Sequence, residues 1–396
     1  MYTPACLTYG VGGVLACLLA SHCYAAPNPS RQCLQGHKIS HTFTSGAAWD
    51  FCASFPTQEG LEISQAHYTP PAQTRRRVLG QASLSQLETI FDDNRSRPLF
   101  LVTQVGLGGE HLLNLTPNDC PDGILYTQRD ERPVLCTRSQ TFGYQYKYEQ
   151  SYQGHFFEVF AISQPDTRTY TLRWRFYENG IIEPALGMSG KLPKLEAENT
   201  QAGRIVTASG TWGSSFTDYA GWRLDFDLGQ SPTNDIIEEI TSTPTPSRRQ
   251  KETAITPITQ EIGRKLDPET KRFWRVRDSN ETNANGRPIS YEIVPSQYHH
   301  STTNVRGRLW LNEDIYFTEY KACERHASNN PVESGCPTSN VKDFTGNQTY
   351  INSSDIVVWY KQNRHYLPRS EDGALIGMTW ISFQLLPRDW QASNPF

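Results

Sequence analysis

Methionine is scarce in this chain, at 3 of 396 residues, and several patterns that would narrow its chemistry are missing. No two cysteines stand at a C-x-x-C spacing, which argues against zinc and leaves disulfides as the natural use of the thiols. After the first 25 residues no apolar run approaches the length that spans a bilayer. Neither sign of charge dominates: the net charge is -4 with acids and bases interspersed, so neither nucleic acid nor a membrane surface is an expected partner. The sequence GTWGSS at 210–215 misses the G-x-S-x-G spacing of a nucleophile elbow. Gly106-Leu107-Gly108-Gly109 is not followed by the helical pattern of a dinucleotide site and reads as a turn. His299 and His300 are chain neighbours, which on a strand face opposite ways and do not chelate together. No repeat at a solenoid or propeller period is present.

What is abundant points to sheet. The chain has 19 Tyr, 17 Phe and 9 Trp, with 28 Gly and 25 Pro, the composition of many strands joined by turns. Residues 169–177 (TYTLRWRFY) alternate apolar Tyr170, Leu172, Trp174 and Phe176 with Thr171, Arg173 and Arg175, the period of a half-buried strand. Asn179-Gly180 then supplies the positive φ angles of a tight hairpin turn, and Ile181-Ile182 resume the apolar run. Residues 223–228 alternate again, while 355–360 and 378–386 read as strands buried on both faces. One segment, 83–91 (SLSQLETIF), reads as a helix. Residues 230–265 are rich in Ser, Thr, Pro and charge and read as an exposed arm or long loop.

The apolar run 11–20, followed by small residues Cys23 and Ala25, reads as a secretory signal over 1–25, with an extension over 26–44 and one domain over 45–396. Six cysteines then remain, and the pairing cheapest in loop-closure entropy joins Cys33 to Cys52, Cys120 to Cys136 and Cys323 to Cys336. Asn94, Asn114, Asn280, Asn347 and Asn352 each open an N-x-S/T sequon, consistent with a secreted glycoprotein. Arg75-Arg76-Arg77 and Arg248-Arg249 read as solvated charge rather than as cleavage sites.

Several collinear segments carry a resemblance. WDFCASFPTQEGLEISQAHY from Trp49, with Gln58-Glu59-Gly60-Leu61 inside it, is similar to the opening of the copper amine oxidase catalytic domain. RWRFYENGIIEPALGMSGKL, RLDFDLGQSPTNDIIEE, RFWRVRDSNETNANGRPISYEIVP and DIVVWYKQNRHYLPRSEDG resemble later segments of that family in the same order. The resemblance implies a mainly β fold: a large β-sandwich that dimerises, with long arms, of which 230–265 would be one.

The resemblance also implies a topaquinone made from a tyrosine, a copper held by three histidines and an aspartate base, and the equivalent positions here hold other residues. A quinone serves as electron sink, imidazoles suit Cu(II), and a carboxylate takes the substrate proton. The precursor position is Arg168, two residues before Tyr170, and the base position is Leu101. The first two histidine positions are Phe216 and Asp218; the third is Tyr366, with His365 displaced by one residue and so turned to the other side of a strand. Arg168 shares strand parity with Tyr170, so it is either a buried charge in need of an anionic partner or an exposed turn residue. With ligands and precursor absent, neither copper nor topaquinone is an expected cofactor, and the chain reads as a secreted relative without amine oxidase activity whose cleft holds an unidentified small molecule. A divergent copper- and quinone-dependent oxidase or biosynthetic enzyme, working through Tyr170 and His365, is the alternative. The partner expected is a second copy or a related amine oxidase.

Overall fold

The alternation at 169–177 sets the architecture. In the strand Arg168–Tyr177, Tyr170, Leu172, Trp174 and Phe176 are buried. The opposite face lines up Arg138, Glu158, Arg175 and Glu183 on four neighbouring strands, a row of alternating charge directly paired across the ladder. The chain reverses at Asn179-Gly180, where Gly180 has φ of 92°, into the strand Ile182–Lys191.

The computed structural model describes residues 33, 36–93, 97–128, 130–195, 201–206, 211–247, 250–295 and 307–396. Among these, two antiparallel sheets face each other within the compact unit Gln35–Phe396. The nine-stranded sheet runs His37–Thr42, Ala48–Ser54, Glu62–Thr69, Arg76–Phe91, Phe216–Gly229, Ile356–Tyr366, Ile315–Glu319, Ile262–Arg264, with Leu99–Phe100 paired onto Arg76–Phe91. The eleven-stranded sheet centres on Arg168–Tyr177, flanked by Ser151–Ser163 and Ile182–Lys191. Large rings interdigitate between the layers: Phe51 stacks on Phe176 at 4.4 Å, and Trp174 meets Trp222 edge-on at 5.6 Å and 88°. Polar tips are satisfied as well, the Trp49 indole donating across the interface to Tyr177 O at 2.8 Å and the Tyr291 hydroxyl donating within its own sheet to Gly180 O at 2.8 Å.

Two expectations about individual elements are corrected. Residues 83–91 are not helical; they are the end of the strand Arg76–Phe91. Their polar residues are buried because partners from other elements meet them: Ser85 donates to Gly221 O and Gln86 to Ser328 O. Residues 378–386 are not buried on both faces: Leu375–Ser382 and Gln384–Arg388 are separate strands, and Met378 and Trp380 remain exposed. Residues 230–265 contain the hairpin of Asp235–Pro244 with Lys251–Ile258, whose first strand is buried in the large sheet and whose second is exposed along most of its length. Gly106, with φ of 87°, makes the expected turn, because a Cβ there would stand 2.5 Å from Thr57 O.

Cys120 is bonded to Cys136 and Cys323 to Cys336, and Cys33 and Cys52 are also disulfide-bonded. Asn114, Asn280 and Asn347 are exposed and Asn352 is partly buried. Arg75, Arg76 and Arg77 pair with Asp50, Glu281 and Asp227. Asn94, Arg248-Arg249, His299-His300 and the 1–25 signal reading lie outside the described residues.

His67 gives the fold a pH dependence. Its Nδ1 lies 2.6 Å from Gln65 O, and burial, with Arg75 adding to it, pulls the ring down to about 4 despite Asp50 Oδ1 at 4.0 Å. The folded value lies below the ordinary 6.5, so the neutral ring's contribution is complete above pH 6.5 and is lost as pH falls through 4. Urea titrations at pH 7 and pH 4 should differ by about 2 kcal/mol more in the wild type than in His67→Phe, after allowance for solvent screening.

Candidate functional site

Register brings the implied positions together. In the nine-stranded sheet Phe216 lies opposite both Phe91 and Tyr366, and Asp218 lies opposite both Thr89 and Arg364. Arg168 enters from the other sheet at the start of its strand, where Gly190 faces it; a Cβ on Gly190 would stand 2.5 Å from Arg168 Cα. The side chains meet as a bidentate pair: Arg168 Nη1 donates to Asp218 Oδ1 at 2.8 Å and Nη2 to Oδ2 at 2.5 Å. Thr89 Oγ1 donates to the same Oδ1 at 2.5 Å. The two side chains are 6% and 0% exposed, so of the two readings of Arg168 the buried one holds.

Burying two charges costs several kcal/mol each, recovered only by good geometry and further hydrogen bonds; the fork of Arg168 and the Thr89 hydroxyl supply these to Asp218, while Arg168 Nε is buried without a partner. Burial alone would lower the guanidinium's pKa, but the Asp218 carboxylate outweighs it and raises the value further, so Arg168 stays charged. Its plane lies 4.5 Å from the Phe216 centroid and 5.2 Å from that of Tyr170. Burial raises the Tyr170 hydroxyl well above the ordinary range, which keeps it a neutral phenol.

The remaining positions divide. Tyr366 is buried and stacks on Phe216 at 5.2 Å and 22°. Burial, together with Asp372, pushes its hydroxyl up to about 12. His365 points the other way, with 46% of its side chain exposed and Nε2 2.9 Å from Asp92 Oδ2. Leu101 opens a π-helical turn, Leu101–Val105, and is packed into the main core. Phe216, Asp218 and Tyr366 therefore form two rings and a carboxylate already claimed by arginine, and His365 and Tyr170 face different surroundings. This donor set does not fit a copper held by imidazoles.

A second constellation escapes sequence reading. Asp225, Asp227 and Asp355 bring one carboxylate oxygen each to within 4.8 Å of one another. Asp225 and Asp227 share a face of one strand, and Gly80 makes room for them, since a Cβ there would lie 2.5 Å from Asp227 Oδ2. Burial pushes the Asp225 and Asp355 carboxyls up, and Asp225 Oδ1 is buried without a hydrogen-bond partner. Three carboxylates are the oxygen ligands a hard dication takes, not a copper set.

The chain matches the family model described as copper amine oxidase, enzyme domain, over residues 156–396. It is 21% identical over 393 residues to a primary amine oxidase of Arthrobacter sp. (strain P1), covering 90% of this chain and 60% of that protein. It is 22% identical over 405 residues to primary amine oxidase 2 of Arabidopsis thaliana, covering 91% and 59%. The fold is similar to that of a copper-containing benzylamine oxidase from Hansenula polymorpha, with a TM-score of 0.75 and 16% identity over 93% of this chain and 64% of that one. The chain thus spans about 60% of the length of these curated relatives. These findings correct the expectation of no cofactor: a family named for copper, with a solved relative described as copper-containing, points to copper rather than to none. With more than half of its length matched by the family model, and the sandwich in place around Arg168 and Asp218, the chain belongs to the copper amine oxidase enzyme-domain family.

Proposed function

We propose that this chain is a family member that does not oxidise amines at the centre between its sheets and instead serves as a secreted, disulfide-braced binding module. One observation carries the reading: the position where the resemblance implies a redox-active tyrosine is a guanidinium held by Asp218 through both of its Nη atoms. Leu101 at the base position cannot take a proton. Disulfides and exposed sequons at Asn114, Asn280 and Asn347 support the secretory route. The exposed strand Lys251–Ile258, with Ile255 uncovered, supports pairing with a second copy. The test is amine-dependent peroxide release from the full chain expressed with copper, using methylamine and benzylamine. Release at the no-enzyme background is expected. Turnover proportional to protein would favour the divergent oxidase, working through other residues.

The acidic triad supports a second role, binding of a hard dication that holds the strands Phe216–Gly229 and Ile356–Tyr366 together near Asp355. Saturating Ca²⁺ should raise the melting temperature by about 5 °C, the size expected for about 2–3 kcal/mol of linkage in a domain this large. Asp227→Asn should abolish most of that rise; an equal rise in the variant would remove the triad from consideration.

A further inference from the structure

Two arginines compete for one carboxylate at the buried centre. Arg364 stands directly opposite Asp218 in the ladder, yet both Asp218 oxygens are taken by Arg168 and Thr89. Among the described residues Arg364 makes neither a hydrogen bond nor an ion pair. Arg369, the next cation along the chain, is already held by Asp372 at 3.1 Å. The four side chains are linked by ring contacts: the Arg364 guanidinium lies 4.9 Å from the Tyr366 centroid, Tyr366 stacks on Phe216, and Arg168 lies over the Phe216 ring at 4.5 Å. Arg168, at the inner end, is closed off, whereas Arg364 is only partly buried and can be reached.

Arg168, Arg364 and Asp218 together leave one uncompensated positive charge beside aromatic walls. One cation calls for a monoanion, and a guanidinium whose face rests on a ring offers its edge, the geometry that takes a planar carboxylate on two N–H donors. We propose that Arg364, backed by the Arg168–Asp218 pair, binds a small organic monocarboxylate at the reachable edge of its guanidinium. This rests on the reading that the centre is an ion pair rather than an oxidase, and it gives that centre a ligand class opposite in charge to an amine.

The probe is benzoate, titrated into the full chain by calorimetry, with benzylamine-dependent peroxide measured on the same preparation. Saturable benzoate binding is expected, weakened about tenfold or more in Arg364→Gln, which should keep the wild-type near-UV circular dichroism because the side chain is partly exposed and unpaired. Arg364→Lys, which keeps the charge and loses the fork, should fall between the two. Absent binding, or equal binding by Arg364→Gln, overturns the carboxylate site while leaving the reading beneath it intact if peroxide stays at background. Peroxide release overturns that reading whatever benzoate does.

Discussion

Asp218→Ala should destabilise the protein by about 3–5 kcal/mol in urea unfolding, because it strands the buried Arg168 guanidinium without its carboxylate. Thr89 loses its acceptor in the same step. Arg168→Met should cost less, about 1–3 kcal/mol, since Arg364 stands opposite Asp218 and can take over as counter-ion. That asymmetry separates this site from an ordinary ion pair, for which either truncation would strand a charge. Combining Arg168→Met with Asp218→Leu removes both charges together and should recover much of the loss.

Trp222→Ala should be of similar size, about 3–5 kcal/mol, through a different mechanism. Trp222 is fully buried where the sheets face each other, edge-on to Trp174 at 5.6 Å and packed against Phe383 at 5.9 Å. Its indole donates to Gln362 Oε1 at 3.1 Å. Truncation opens a cavity that neither rigid sheet can close and deprives Gln362 of this donor. Trp222→Phe keeps most of the ring contact and should lose roughly half as much by the same measurement.

The sequence announced the strand Arg168–Tyr177 and its hairpin because one face is aromatic and the other carries arginines, so period and chemistry agree. It misled at 83–91 because Ser83, Ser85, Gln86, Glu88 and Thr89 are buried polar residues, and their spacing imitates a helix when their partners are unknown. Those partners come from distant chain: Glu88, for instance, accepts from the Trp310 indole at 2.9 Å. Arg168 could be recognised as a misplaced charge from strand parity alone. Its counter-ion could not, since Asp218 lies on another strand of the opposite sheet and only register puts the two together. Arg364 gave no signal for the same reason. Asp225 and Asp227 could have been paired from their spacing, whereas Asp355 lies far along the chain, just before the strand Ile356–Tyr366.

The most direct test of the locked centre is a double-mutant cycle on Arg168→Met and Asp218→Ala, measured by urea unfolding at pH 7. A coupling energy of about 2–3 kcal/mol is predicted for a buried bidentate pair. Coupling below about 0.5 kcal/mol would mean that the two side chains do not hold each other, and the claim that an ion pair occupies the family's redox position would fail.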